Sequence, residues 1–176
     1  MRFEHLIEIN SPSITLQTVV PAFTLQQLWQ GLMARAQTPQ RFPNGPDRCD
    51  CVDIEPGRFT RTVHFGQHVL QDEVTATPLT QLQFTPQAHG ETAPIELRIS
   101  IEEPQPGQMV LRFVYQALLE QTPEEVKYND YRHSAWLHND RDMVSTLRQW
   151  LADGSLTAQG VAVVNRQSQL GLMDLT

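Results

Sequence analysis

Between residues 48 and 119 the sequence reads as six strand-length segments in succession, with no helical pattern between them. They fall at about 48–55, 58–66, 69–77, 80–86, 94–103 and 108–119. Turn-forming stretches divide them: Pro56-Gly57, Gly66-Gln67, Thr77-Pro78, the region of His89-Gly90, and Pro104-Gln105-Pro106-Gly107. Parallel neighbours need long crossover connections, so strands joined this tightly must pair antiparallel as a meander. Ile95, Leu97, Ile99 and Ile101 alternate with Glu96, Arg98, Ser100 and Glu102. Leu111, Phe113 and Tyr115 likewise alternate with Arg112, Val114 and Gln116. One face of the sheet is therefore apolar and has to be covered. Tyr115 carries a hydroxyl into that wall, where it either orients a ligand or reaches the rim; the rim is the simpler reading.

The chain supplies one long cover. From Pro123 to Leu151 the pattern is helical, with Thr122 as N-cap, Pro123 at the first position, Glu124 and Glu125 in the first turn, and Gly154 as the stop. At 1.5 Å per residue such a helix is about 40 Å long. Val126, Trp136, Leu137, Met143, Val144, Leu147, Trp150 and Leu151 share one face. Asn129, His133 and Asp140 project from within the same arc. A polar group facing a core is costly without a partner or water, so these three predict a partly polar, hydrated space beneath the helix, or else satisfied positions at its margin.

Upstream, residues 2–10 read as a first strand. Thr24 caps a shorter amphipathic helix whose apolar positions are Leu25, Leu28, Trp29, Leu32, Met33 and Ala36. Residues 38–47, with three prolines and a glycine, predict a turn or one short helical piece. Residues 155–176 fit neither period. Val161 to Val164 and Leu170 to Leu175 are too apolar for a solvated tail, so this stretch is set apart from a domain at 1–154 and could dock on the sheet or on a second subunit.

The hairpin at Gly66-Gln67 carries the sharpest local prediction. A two-residue turn there sets Phe65 opposite His68, Val63 opposite Leu70, Arg61 opposite Asp72 and Phe59 opposite Val74. Arg61 and Asp72 then face each other between apolar neighbours, in a bidentate pair or a cross-strand contact worth only about 1 kcal/mol or less. A register slip of one residue would undo this, since strand parity is strict.

Several functions are excluded or weakened. A net charge of −7 disfavours a nucleic-acid surface. No apolar run approaches the roughly 20 residues of a membrane span, and the charged start Met1-Arg2-Phe3-Glu4-His5 is unlike a signal peptide. Cys49 and Cys51 lie too close on one strand for an unstrained bridge, so they read as reduced thiols of a cytoplasmic protein. Neither has a placeable histidine partner for nucleophilic catalysis. No second cysteine pair completes a metal site, and His64 and His68 point to opposite faces. There is no phosphate-binding glycine loop, and no cofactor is expected.

Strand, helix, six strands and a long closing helix is the order of the helix-grip fold, and residues 1–152 resemble that superfamily of START, Bet v 1-like and polyketide aromatase/cyclase domains. The resemblance is nearest to an AtaL-like branch without an assigned chemistry. It is carried by Phe3-Glu4-His5-Leu6-Ile7-Glu8-Ile9-Asn10, Leu28-Trp29-Gln30-Gly31-Leu32, Val63-His64-Phe65-Gly66, Ile101-Glu102-Glu103-Pro104 and Tyr131-Arg132-His133-Ser134-Ala135. It implies an α+β fold: a curved antiparallel sheet of about seven strands wrapped on the C-terminal helix, enclosing a cavity.

Two functions then compete. One is a binding protein for an apolar or amphipathic, polyketide- or lipid-like molecule. Trp29, Phe59, Val63, Phe113, Leu137 and Val144 would form the wall around Arg61, Asp72, Tyr115, Asn129, His133 and Asp140, with Arg61 suited to a ligand carboxylate or enolate. The other is an enzyme of the aromatase/cyclase or a hydrolase-like kind, with His133 as general base and Arg61 stabilising oxyanion charge. On the helix His133 and Asp140 are two turns apart, about 10 Å. Self-association as a homodimer through the apolar tail is a third expectation.

Overall fold

The computed structural model describes residues 1–11, 21–87 and 92–162 of the chain. Seven strands form one antiparallel sheet: β1 (Arg2–Asn10), β2 (Arg48–Glu55), β3 (Arg58–Phe65), β4 (His68–Thr77), β5 (Gln81–Pro86), β6 (Ile95–Glu102) and β7 (Met109–Ala117). Their spatial order is β1-β7-β6-β5-β4-β3-β2, so β2 to β7 form the expected meander and β1 returns to pair with β7. The pairing places Phe65 opposite His68, Val63 opposite Leu70 and Arg61 opposite Asp72. Register shifts at Glu8/Asn10 and Asp53/Glu55 bend both edge strands, as bulges do.

On the concave face the registers align a continuous row: Phe59, Val74, Phe84, Leu97, Tyr115 and Phe3. Helix α1 (Leu25–Gln37) covers part of this face. Thr24 closes a capping box with Gln27, and the helix buries Leu28, Trp29, Gly31, Leu32 and Ala36. A 3₁₀ turn at Pro39–Arg41 follows.

The closing helix departs from the sequence expectation, for it is two helices. Short α2 (Pro123–Lys127) ends at Tyr128, and α3 (Asn129–Ala152) begins there. The cause is local. Thr122 and Glu125 form a reciprocal capping box, and the Glu125 carboxylate also accepts the Ala93 N–H at 2.9 Å, which fixes α2 against the chain before β6. Tyr128 N–H bonds the carbonyl of Glu125 three residues back, tightening the turn. Val126, expected on the apolar face, is exposed in consequence.

The stretch after α3 is also ordered further than expected. Leu156–Thr157 (β8) and Gly160–Val161 (β9) form a small hairpin beside α1, with Leu156 buried. Arg41 donates to the carbonyls of Val161 and Ala162 at 3.3 and 2.6 Å. The chain thus stays packed beside α1 beyond residue 154, as far as Ala162. The apolar stretch 163–176 lies outside the described residues.

The two helices meet at one tight point. A Cβ at Gly31 would lie 2.7 Å from Leu147 Cδ2 and 2.9 Å from Cδ1, so the fully buried Leu147 side chain would have to shift. Gly31→Ala should therefore lower stability by about 1–3 kcal/mol from overpacking, against the roughly 1 kcal/mol that alanine offers over glycine in a helix. Placed on a Leu147→Ala background, Gly31→Ala should become neutral or stabilising. Equal costs on both backgrounds in urea unfolding would contradict this close approach.

Candidate functional site

Beside that contact the roof stands clear of the sheet over a cavity of about 650 Å³. Apolar side chains of β5 and β6, chiefly Phe84, Ile95, Leu97 and Ile99, floor it, and Trp136 of α3 forms part of the roof. Val69 and Leu70 of β4 both line it and are exposed, which places its opening at the β3–β4 hairpin. Arg35, Arg61, Asp72, Tyr115, Asn139 and Asp140 bring polar groups into the same space.

The strand register creates the first charged pair. Arg61 Nε and Nη2 donate to the two Asp72 oxygens at 2.6 and 2.8 Å, while Nη1 donates to the Ala36 carbonyl at 3.0 Å. Its guanidinium lies over the Phe84 ring, 4.6 Å from the centroid. Two opposite charges joined by a fork–fork bond satisfy each other. The pair also fastens the C-terminal turn of α1 to the hairpin.

The second polar group hangs from the roof. The Tyr115 hydroxyl donates to Asp140 Oδ2 at 2.8 Å, within a buried pair. Tyr115 is thus not at the rim: the carboxylate above it supplies the partner that a buried phenol requires. Burial, followed by the Asp140 charge and their hydrogen bond, raises the Tyr115 pKa well above the usual tyrosine value. His5 Nε2 lies 3.1 Å from the same Oδ2, yet neither ring nitrogen makes an aligned hydrogen bond among the described residues. The ring is held flat against Phe113, 4.9 Å between centroids.

Other residues expected in the wall are placed elsewhere. His133 stacks on Phe3 at 4.2 Å, with Nε2 3.3 Å from the Met1 sulfur, outside the cavity lining. Trp136 stands next to it, 5.8 Å away, and itself stacks on Tyr115 at 4.3 Å. Asn129 exchanges amide hydrogen bonds with Gln121 at 3.0 and 3.3 Å, a consequence of the break at Tyr128. Trp29, Phe59, Phe113 and Val144 belong to the packed core, Val63 is buried on β3, and Leu137 is half-buried on α3; none lines the cavity.

Two residues were overlooked in the sequence. Arg35 follows Leu28 by seven and Leu32 by three, a spacing that puts it on the buried side of α1. His5 alternates with Phe3 and Ile7 on the inward face of β1.

The cysteines are poor nucleophiles. Cys49 and Cys51 sulfurs sit 3.9 Å apart, and desolvation, followed by the neighbouring thiol, pushes Cys51 up to about 12. No cluster of three metal-ligating side chains exists among the described residues. Nor is any helix there long and apolar enough to cross a membrane.

A seven-stranded sheet gripping a long C-terminal helix, with a cavity between them, defines a helix-grip protein. The chain belongs to the AtaL family, described as acetylaranotin biosynthesis cluster protein L, whose model matches residues 7–154. No curated protein matches the sequence. Among solved structures it is similar to the di-domain ARO/CYC StfQ of the steffimycin biosynthetic pathway, at 12% identity and a TM-score of 0.63 over 87% of this chain. It spans 51% of that protein, about half its length. The Zhui aromatase/cyclase from a Streptomyces species is 12% identical, with a TM-score of 0.57, covering 92% of this chain and 99% of that one. The Aha1 dimer from Colwellia psychrerythraea is 14% identical, with a TM-score of 0.53, covering 84% and 96%. At such identities these likenesses establish the fold.

The Tyr115–Asp140 contact gives a pH prediction. In the unfolded chain a tyrosine loses its proton near pH 10, while the folded protein retains it. Above about pH 10 the unfolded state binds fewer protons, so this group's contribution is complete below that pH and declines as pH rises. Tyr115→Phe should cost about 1–3 kcal/mol at neutral pH, because Asp140 loses a donor. Its urea midpoint should then fall less steeply than that of the parent between about pH 9 and 11. Parallel alkaline limbs would show that the phenol is not protected.

Proposed function

We propose that this chain binds a small amphipathic molecule, polyketide- or lipid-like, in the cavity between the sheet and α3. The observation that carries the reading is the cavity itself: about 650 Å³, with an apolar floor and a few fixed polar groups. That size and mixture are those of small-molecule sites. The family's description refers to a biosynthetic cluster, and two of the similar structures are aromatase/cyclases, which supports a ligand of metabolite size.

A second reading, catalysis on that ligand, is favoured by one feature. The buried Asp140 carboxylate and the Tyr115 hydroxyl meet in the cavity wall, where a proton could be exchanged with a bound molecule. On this reading the acid–base role falls to that pair rather than to His133, whose ring is occupied by Phe3 and Met1. Arg61, engaged on three nitrogens, contributes fixed positive charge rather than a free donor fork.

Native mass spectrometry of the purified protein should detect a co-purifying small molecule in the parent and none in Leu97→Trp, which fills the cavity floor. A ligand retained at equal occupancy by Leu97→Trp would place binding elsewhere. His133→Ala should lower stability through the lost stacking, by about 0.5–1.5 kcal/mol beyond the area it uncovers, and leave ligand occupancy unchanged. A selective loss of ligand in His133→Ala would restore that residue to the site.

A further inference from the structure

The cavity holds two guanidinium groups in different states. Arg61 is consumed by the protein: a carboxylate fork, a backbone carbonyl and an aromatic face take up its cation. Arg35 stands beside it on the last turn of α1 and makes no hydrogen bond or ion pair among the described residues. Its guanidinium carbon lies over the Phe42 ring at 6.0 Å from the centroid, the outer limit of a cation–π contact. The carboxylates around it are engaged elsewhere. Asp72 is held by Arg61, and Asp140 accepts the Tyr115 hydroxyl, with His5 beside it.

An arginine cannot escape this situation by giving up its proton, so its charge stays in the cavity wall. Desolvation, and then repulsion from Arg61, act against that charge, and the nearby Asp140 and Asp72 carboxylates, though engaged elsewhere, act in its favour. A structural arginine in such a place would ordinarily be paired, because a cation partly withdrawn from water gains from a direct partner. Five unused donors on a planar fork, facing a cavity with an apolar floor, make up the complement of an anionic oxygen group.

Resting on the cavity-binding reading above, we infer that Arg35 anchors an acidic head group, so that the cavity selects organic acids over neutral molecules of the same shape. The ligand class is an apolar or aromatic skeleton bearing a carboxylate, enolate or comparable oxyanion. The skeleton lies on Phe84, Leu97 and Ile99, and the head group is drawn to α1. Arg61, the apparent candidate from sequence, instead fastens α1 in the position from which Arg35 reaches the cavity. Arg35 is thereby a specificity determinant, and Arg61 a part of the scaffold that positions it.

Two fluorescent probes with one skeleton test this: 8-anilinonaphthalene-1-sulfonate, which carries an anionic head, and N-phenyl-1-naphthylamine, which lacks it. The parent should bind both. Arg35→Gln and Arg35→Met should weaken the sulfonate probe by about tenfold or more, the scale of a lost charge-assisted contact, and change the neutral probe by less than about twofold. Without ligand, Arg35→Met should melt at or above the parent temperature, since it removes an unpaired cation and keeps the apolar stem. Unchanged binding of the sulfonate, equal losses of both probes, or a fall in melting temperature of several degrees would overturn the anchor while leaving the cavity reading intact. A parent that binds neither probe, or a Leu97→Trp variant that keeps both, would overturn the cavity reading and the anchor together.

Discussion

Leu147 of α3 seated against Gly31 of α1 is the contact on which the interior depends. A residue with a side chain at 31 would push the helices apart, so glycine sets how closely they can converge. Around this point the core is solid: Leu28, Leu32, Ile9, Leu111 and Met143 are almost wholly shielded from water. Arg148, one residue beyond Leu147, donates to the carbonyls of Glu8 and Ile9 where β1 shifts register, tying the helix to the sheet at the same end. Toward its other end α3 packs on the sheet again, where His133 stacks on Phe3, and the gap lies between the two attachments. Trp136, Asn139 and Asp140 stand over that gap.

Within the gap the polar groups divide by what holds them. Arg61 with Asp72, and Tyr115 with Asp140, are closed pairs whose members satisfy each other. Each also joins two elements, the first linking α1 to the hairpin and the second linking α3 to β7. Removing either partner would leave a group in the wall without its match, which costs far more than the pair contributes while intact. Arg35 differs in kind, since beyond its place over the Phe42 ring it makes no hydrogen bond or ion pair among the described residues. The distinction between fastened and unfastened charge separates scaffold from recognition surface more sharply than does proximity to the cavity.

The sheet was readable because strand parity admits few answers. Once Gly66-Gln67 is taken as a two-residue turn, Arg61 must oppose Asp72, and the observed register agrees at every position considered. Helix faces are less informative. The 3.6-residue period puts Asn129, His133 and Asp140 on one side, but it does not say what lies opposite each turn. Seven residues of rise carry His133 to the Phe3 end of the sheet and Asp140 to the cavity. Nor could propensity reveal the break at Tyr128, which comes from a tertiary bond between Glu125 and Ala93. Arg35 was overlooked for a related reason: a charged residue next to an apolar stripe reads as a solvated margin, and only the hollow beneath it changes that meaning.

His5 completes the interior. It lies between Phe3 and Ile7 in an inward-facing row, both ring nitrogens are shielded, and its closest polar neighbour is the carboxylate that Tyr115 already uses. A histidine chosen for packing alone could be replaced by leucine or phenylalanine without exposing a polar atom. One chosen to hold Asp140 would show an aligned bond to it. Its ring lies flat on Phe113, with Nε2 3.1 Å from the acid yet off the line of a bond.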